Sequence, residues 1–99
     1  MVPVAVPTGV AGGQQASEGW DFDSLYSARY ADMVRLAYFL TGSAGQAEEA
    51  TQESFVRLYE RWIDIEHHEA YLRTSVVNRC RSWHQSRYAA LRRHHRIAR

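Results

Sequence analysis

The sequence predicts an all-α fold, a bundle of three helices, and three observations support this prediction. Apolar residues recur at steps of three and four along most of the chain, the spacing that places them on one side of an α-helix. No segment alternates between apolar and polar residues as a half-buried strand does. Hydrophobic residues make up 45% of the 99 residues and charged residues 23%, a balance typical of a small folded domain.

The first predicted helix begins after Asp21 and ends at Gly42. Asp21 can accept hydrogen bonds from the first free backbone N–H groups, and Gly42 suits the left-handed conformation that commonly ends a helix. The apolar stripe of this helix consists of Phe22, Leu25, Tyr26, Met33, Leu36, Ala37 and Leu40. Residues 1–19 are rich in proline, glycine, alanine and glutamine and have no periodicity, so we expect a flexible, disordered N-terminal tail.

Two further helices follow. Ser43 and Gln46 have the spacing of a capping box, and the inward stripe after them is Ala47, Thr51, Phe55, Leu58 and Trp62. Residues 63–68 break this rhythm without glycine or proline, which predicts a short ordered connector. The third helix is expected from about Glu69 to Tyr88, facing inward with Leu72, Val76, Cys80 and Trp83. Residues 89–99 could continue this helix but show no clear apolar face, and we expect this basic C-terminus to fray.

Charge is segregated along the chain. Residues 73–99 hold eight arginines and no acidic residue, a formal charge of +8, whereas residues 1–72 hold all eleven acidic residues and four arginines, a formal charge of −7. Such a distribution favours a polyanionic partner at the C-terminal end. Tyr71, Trp83 and Tyr88 lie in or beside the basic stretch, where aromatic rings and guanidinium groups together suit exposed bases and phosphates.

Several other functional classes find no support in the sequence. No apolar run approaches the roughly 20 residues that a membrane span requires, and residues 1–15 lack the charged start of a signal peptide. The single cysteine, Cys80, cannot form an internal disulfide, which favours a reducing, cytoplasmic setting. The histidine pairs at 67–68 and 94–95 lack the ligand spacing of a zinc site. We therefore expect no metal, no cofactor, no membrane insertion and no enzymatic activity.

Three blocks of the sequence carry a specific resemblance. They are FDSLYSARYADMVRLAYFLTGS at residues 22–43, QAEEATQESFVRLYERW at residues 46–62 and EAYLRTSVVNRCRSWHQSR at residues 69–87. In order and spacing they resemble the region 2 domain of bacterial extracytoplasmic-function (ECF) sigma factors, group 4 of the sigma-70 family. The second block is similar to the family's A-E-D-x-x-Q-E-x-F-x-R-x-[WY] helix, and the third to its [WY]-L-x-x-[IV]-x-x-N-x-x-x-[DS]-[WY] helix. Glu49 stands where the family more often has aspartate.

The resemblance implies two contact surfaces. In the family, the helix matching residues 46–62 docks on the clamp helices of the RNA polymerase β′ subunit, which implies the core-polymerase-binding residues Glu49, Gln52, Glu53, Val56, Arg57 and Glu60. The family's connector holds a base flipped out of the −10 promoter element, and its third helix contacts the nontemplate strand around that base. These contacts imply the DNA-binding residues Ile65, Glu66, His67, His68, Arg73, Asn78, Arg81 and His84.

The resemblance also implies a domain organisation: a tail at residues 1–19, the region 2 domain at residues 20–88 and the start of a basic linker at residues 89–99. Because the family carries a second domain, a helix-turn-helix that reads the −35 element, we expect the sequence to be a domain cut from a longer protein. The implied function is recognition and opening of the −10 element, with the polymerase supplying the chemistry. Two alternatives stay open: a module whose main partner is an anti-sigma factor or another regulator, and a basic helical protein that coats nucleic acid without sequence preference.

Overall fold

Helices account for nearly all of the structure, a computed structural model that describes residues 19–98, with side chains through His94. The helices are α1, Phe22–Thr41, α2, Ala44–Glu60, and α3, His68–Ala98. A short 3-10 helix, Trp62–Asp64, follows α2 and begins the connector. Residues 19–98 contain no strand, so the predicted all-α class and its three helices are confirmed. The expected tail lies, but for Gly19, outside the described residues.

Both ends of α1 form as the sequence predicts. The Asp21 carboxylate accepts a hydrogen bond from the Ser24 backbone N–H at 2.8 Å, which satisfies one of the free donors of the first turn. Gly42 ends the helix with φ of 71°, in the left-handed region that glycine adopts without steric cost. Its backbone N–H donates to the Tyr38 carbonyl oxygen at 2.7 Å.

The start of α2 confirms one half of the predicted capping box and corrects the other. Ser43 Oγ accepts a hydrogen bond from the Gln46 backbone N–H at 3.1 Å. The Ser43 backbone N–H donates to Thr41 Oγ1 at 3.2 Å, where the capping box would have used the Gln46 side chain. Thr41 is buried at the turn, so it reaches this N–H more directly than a long glutamine side chain does.

The core lies where the inward stripes of the three helices meet. Its buried apolar members are Leu25, Met33, Ala37, Ala47, Ala50, Phe55, Leu58, Leu72, Val76 and Cys80. Burial of this apolar surface is the main favourable contribution to folding, and it raises the pKa of the Cys80 thiol by disfavouring the thiolate. Trp83, predicted to face inward, is only half-buried and lies beyond this cluster.

The third helix is longer than predicted. It begins at His68 and continues past the expected end near Tyr88 as far as Ala98. The last buried side chain of α3 among those described is Cys80, so the C-terminal half of the helix extends beyond the core. The sequence shows no apolar stripe in this extension, because the residues beyond the core have no helix to pack against. The extension could therefore not be predicted from hydrophobic spacing. The molecule is accordingly elongated, measuring 63 × 24 × 17 Å.

Ion pairs tie α3 to both other helices. Arg29 of α1 pairs with Glu69 in the first turn of α3, and this hydrogen bond raises the pKa of the Arg29 guanidinium. Arg79, nearly three turns further along α3, donates to the Glu53 carboxylate of α2 at 2.9 Å. These contacts agree with the rotation of α3 that burial of Leu72, Val76 and Cys80 sets, and this rotation decides which of its side chains reach solvent.

Candidate nucleic-acid and protein interfaces

The six α2 residues expected to bind a protein partner share one exposed face. Four of them recur at steps of four, three and four residues, which aligns them in a row along the helix. This row is Glu49, Glu53, Val56 and Glu60, and Gln52 and Arg57 flank it. All six side chains are exposed, so the structure brings this predicted set together and leaves it accessible.

The α2 face combines loosely held charges with one apolar side chain. Gln52 Nε2 donates to the Tyr30 hydroxyl at 3.3 Å, which orients its amide from α1. The Arg57 Nε lies 3.8 Å from Glu60 Oε1, a pair so exposed that solvent screens most of its energy. Val56 is 57% exposed among these charges. Charged groups around a small apolar contact are the pattern by which an amphipathic helix binds a partner helix.

Arg79 extends this face, and the sequence did not predict its role. It lines a shallow groove between α2 and α3 with four of the expected residues, Glu53, Val56, Arg57 and Glu60. Its side chain is 30% exposed, and its Nε is buried with no hydrogen-bond partner within the described residues. Because its partner Glu53 is 26 residues away in the chain, no local spacing could have revealed the contact.

Two stacked rings hold the ends of the connector together. The Trp62 and His68 rings are parallel within 3°, with centroids 3.5 Å apart, and His68 Nε2 lies 2.9 Å from the Trp62 carbonyl oxygen. His68 is 6% exposed and is the first residue of α3. It was expected to face DNA as part of the connector, whereas the structure turns its side chain inward, where it closes the loop.

The other connector residues divide between core and solvent. Ile65 is half-buried and packs against the core, whereas Glu66 and His67 are exposed. Ile63, which the sequence did not single out, is 94% exposed. A hollow at the start of the connector is lined by this isoleucine, by the rings of Phe22, Tyr59 and Trp62, and by the acidic residues Glu60 and Asp64. The exposed Tyr59 ring and the Ile63 side chain next to an accessible loop suit contact with the face of a base.

The four α3 residues expected to contact DNA are all exposed. Arg73, Asn78, Arg81 and His84 spread over about 140° of the helix circumference, as 3.6 residues per turn dictates. Neither Arg73 nor Arg81 forms an ion pair within residues 19–94, so both charges remain available to a ligand. His84, although exposed, also contacts α1, because its Nε2 lies 2.6 Å from the Leu40 carbonyl oxygen near the end of that helix.

This arrangement defines a class of protein: a small helical domain with exposed basic residues on α3 and a separate exposed polar face on α2. A family model described as sigma-70 region 2 matches residues 25–96. The match spans most of α1, all of α2 and the connector, and most of α3. The chain therefore belongs to the sigma-70 region 2 family.

Family membership sets the general role of the chain. Sigma-70 region 2 is a domain of transcription initiation factors and not of an enzyme family, and it acts in promoter recognition with core RNA polymerase and promoter DNA. Comparison with curated proteins and with solved structures gave no match. Within the described part of the chain, no helix has the length and hydropathy to cross a bilayer, and no cluster of three potential metal ligands is present.

Proposed function

We propose that this chain is the −10 recognition and strand-opening domain of an alternative sigma factor of the ECF type, working in the cytoplasm. The α2 face binds the clamp helices of the polymerase β′ subunit. The connector and α3 capture the nontemplate strand of the −10 element once the DNA strands part. The polymerase carries out the chemistry, and the domain supplies recognition and directs transcription initiation.

The exposed amide of Asn78, on the acid-free face of α3, is the observation that carries the proposal. An asparagine amide can both donate to and accept from the edge of one base, which discriminates between bases. Arg73 and Arg81 on the same helix offer guanidinium groups to the backbone phosphates, which position the strand without reading it. Together they provide what recognition of a separated strand requires.

Capture of a flipped base must offset the cost of removing it from the stack, a few kcal/mol. Glu66 and His67 are exposed in the connector, and the hollow beside Ile63 offers apolar surface next to Glu60 and Asp64. Stacking of the base on the exposed Tyr59 ring would contribute roughly 1–3 kcal/mol, and contacts with polar groups would add to this against that cost. The Trp62–His68 stack supports the proposal by holding the connector in one conformation before the base arrives.

Binding of the purified chain to single-stranded oligonucleotides of varied −10 sequence tests the DNA half of the proposal. We expect Asn78→Ala to reduce the preference for the best sequence by about 1–3 kcal/mol, the discrimination of one good amide–base pair, with a smaller change in overall affinity. Ser86→Ala is the matched control, since Ser86 is another exposed polar residue of α3. Equal loss of affinity for every sequence would instead support a protein that coats nucleic acid without preference.

Binding to an isolated pair of β′ clamp helices tests the polymerase half. We expect the double variant Gln52→Ala, Arg57→Glu to weaken clamp binding and to leave single-strand binding intact. Arg35→Glu on α1 is the control, because it makes the same charge change at an exposed arginine outside the α2 face. Unchanged clamp binding in the double variant would remove the assignment of this face.

A regulator such as an anti-sigma protein is the second candidate for the main partner. An apolar hollow on α1 and the following turn favours it, with Phe39 84% exposed and Tyr38 also exposed. Exposed apolar patches of this kind mark protein interaction sites. If regulator binding were the main role, Phe39→Asp would abolish partner binding, whereas Asn78→Ala would leave the function unchanged.

A further inference from the structure

The apolar hollow on α1 and the following turn has a volume of about 690 Å³. We call it the α1 hollow, and its lining includes Arg35, Tyr38, Phe39, Gly42, Ala44 and Glu48. None of its lining residues belongs to the sets assigned to DNA or to the polymerase. The two proposed binding surfaces therefore do not account for it.

The α1 hollow stays open because small residues lie at the turn between α1 and α2. Ala44 has a single methyl group, and a Cβ atom at Gly42 would meet no neighbour within 4 Å. Gly42 ends α1 with a φ of 71°, a conformation that favours glycine over residues with a side chain. The residue that ends the helix thus also leaves the hollow unfilled.

The Phe39 ring lies at the edge of the α1 hollow and is largely in water. Its side chain is 84% exposed, and that of the neighbouring Tyr38 is 53% exposed. Removal of such aromatic surface from water is favourable, and exposed apolar patches mark protein interaction sites. One surface therefore presents both a protruding ring and a hollow that can receive a ring.

The two walls of the α1 hollow carry opposite charges. Arg35 lies on α1, about one turn before Phe39, and Glu48 lies on α2. Glu48 forms no ion pair within residues 19–94. Arg35 donates to Asp32 through one terminal nitrogen, which leaves other N–H donors of the guanidinium free. Since both side chains are exposed, each can contact a charged group of a partner without being freed from the core.

We propose that the α1 hollow is a self-association surface, at which two copies of this chain pair about a two-fold axis. Each copy inserts its Phe39 ring into the hollow of the other, and Arg35 of each copy lies against Glu48 of the other. In such an interface the same surface serves both copies, so it must carry both members of every complementary pair.

The α1 hollow meets this requirement twice. It carries a ring together with a hollow, and a cation together with an anion. A partner of unrelated sequence would require only one member of each pair on this chain, so the combination favours a second copy. The inference stands apart from the proposed function, because neither DNA nor polymerase takes part in it.

The dimer should be weak because the contact is small. Stable interfaces bury roughly 1,200–2,000 Å² in total, and two rings with two exposed ion pairs cover less than this. We expect a dissociation constant between about 10 µM and about 1 mM.

Sedimentation equilibrium of the whole chain across that concentration range tests the inference. We expect the weight-average mass to rise from one chain toward two as the concentration increases. Phe39→Asp should weaken association about tenfold or more, since the ring is the central contact. Ile63→Asp is the matched control, because Ile63 is 94% exposed and lies outside the hollow, and it should associate as the wild type does. Circular dichroism checks that each variant keeps its helices.

Exchange of charges on the two walls tests the two-fold arrangement. Arg35→Glu and Glu48→Arg each place like charges opposite one another, so each variant alone should associate several-fold more weakly. When the two variants are mixed in equal amounts, both pairs across the interface are again opposite in charge, and association should return to about the wild-type level. Arg61→Glu and Asp23→Arg make the same charge changes at exposed positions outside the hollow and should each associate as the wild type does.

Three results would overturn the inference. A wild-type chain that stays monomeric up to about 1 mM would leave the α1 hollow to a partner of another sequence. Equal losses from Phe39→Asp and Ile63→Asp would attribute association to exposed apolar surface in general. A mixture of Arg35→Glu and Glu48→Arg that associates no better than either variant alone would show that two copies do not meet through these walls.

Discussion

Arg79 of α3 donates a 2.9 Å hydrogen bond to the Glu53 carboxylate of α2, and it is the residue directly after Asn78. Consecutive helical residues point about 100° apart, so one turn of α3 contributes to two surfaces. Asn78 lies on the side that we assign to DNA, and Arg79 joins the face that we assign to the polymerase. The ion pair therefore lies within the face that we assign to the polymerase, and Asn78 on the DNA side is its neighbour along the backbone.

We predict that the Glu53–Arg79 pair contributes measurably but modestly to stability. The two side chains are 51% and 30% exposed, so a double-mutant cycle with Glu53→Gln and Arg79→Gln should give a coupling energy of up to about 1 kcal/mol. Urea unfolding at low and high salt measures it, and the coupling should shrink as salt rises. The more exposed Arg57–Glu60 pair, at 3.8 Å, is the control and should couple less. No coupling at low salt would show that the contact does not hold in solution.

The Trp62–His68 stack should contribute more to the free energy of unfolding than a contact at the surface does. His68→Ala removes a buried ring and one of the two hydrogen bonds that the Trp62 carbonyl oxygen accepts, so we expect a loss of about 1–3 kcal/mol in the free energy of unfolding. Urea unfolding provides the measurement. His94→Ala, at an exposed position far along α3, should change stability by less than about 0.5 kcal/mol. Similar effects at both histidines would contradict the structural role of the stack.

Two glycines three residues apart should respond to alanine with opposite signs. Gly42 has a φ of 71°, and the space around it is open, so a Cβ atom would meet no neighbour. Gly42→Ala should therefore lower the free energy of unfolding only by the cost of the left-handed backbone conformation, about 1–2 kcal/mol. Gly45 lies inside α2, also in open space, and Gly45→Ala should raise stability by about 0.5–1 kcal/mol. Thermal and urea unfolding of the two variants, run side by side, measure both changes. A loss of stability in both variants would show instead that alanine is unfavourable throughout the turn.

The parts of the fold that the sequence predicted are those determined by neighbouring residues. Asp21 and Gly42 act through contacts within one helical turn, so their roles are visible in the sequence. The buried stripe Leu72, Val76 and Cys80 likewise follows from helical spacing alone. The length of α3 was wrong because its distal half has no apolar face by which to recognise it.

The sequence predicted that most side chains of the candidate site are exposed, but it did not predict which residues they contact. Spacing alone places Glu49, Glu53 and Glu60 in one accessible row. The inward turn of His68 depends on where the 3-10 helix places Trp62, its first residue, which no sequence pattern encodes. Contacts between distant segments, such as that between Arg79 and Glu53, depend on the rotation of α3 against α2 and need the packed structure.

The pH dependence of stability should carry a contribution from Asp21. Its hydrogen bonds with Ser24 lower the pKa of the carboxyl, because they favour the ionised form in the folded chain. Because the pKa of Asp21 is lower in the folded chain than in the unfolded chain, its contribution to stability is complete above the unfolded pKa of about 3.9. This contribution disappears as pH falls through the folded pKa.

Asp21→Asn keeps a capping oxygen but does not titrate, so its deficit in the free energy of unfolding relative to wild type should be present near neutral pH and vanish in acid. Asp21→Ala also loses the cap, and we expect it to cost about 1 kcal/mol near neutral pH. Urea unfolding from about pH 7 to pH 3 measures these differences, with Asp64→Asn as a control for the loss of one carboxylate outside α1. A deficit of Asp21→Asn that grows as pH falls would have the wrong sign for a carboxylate stabilised by the helix start.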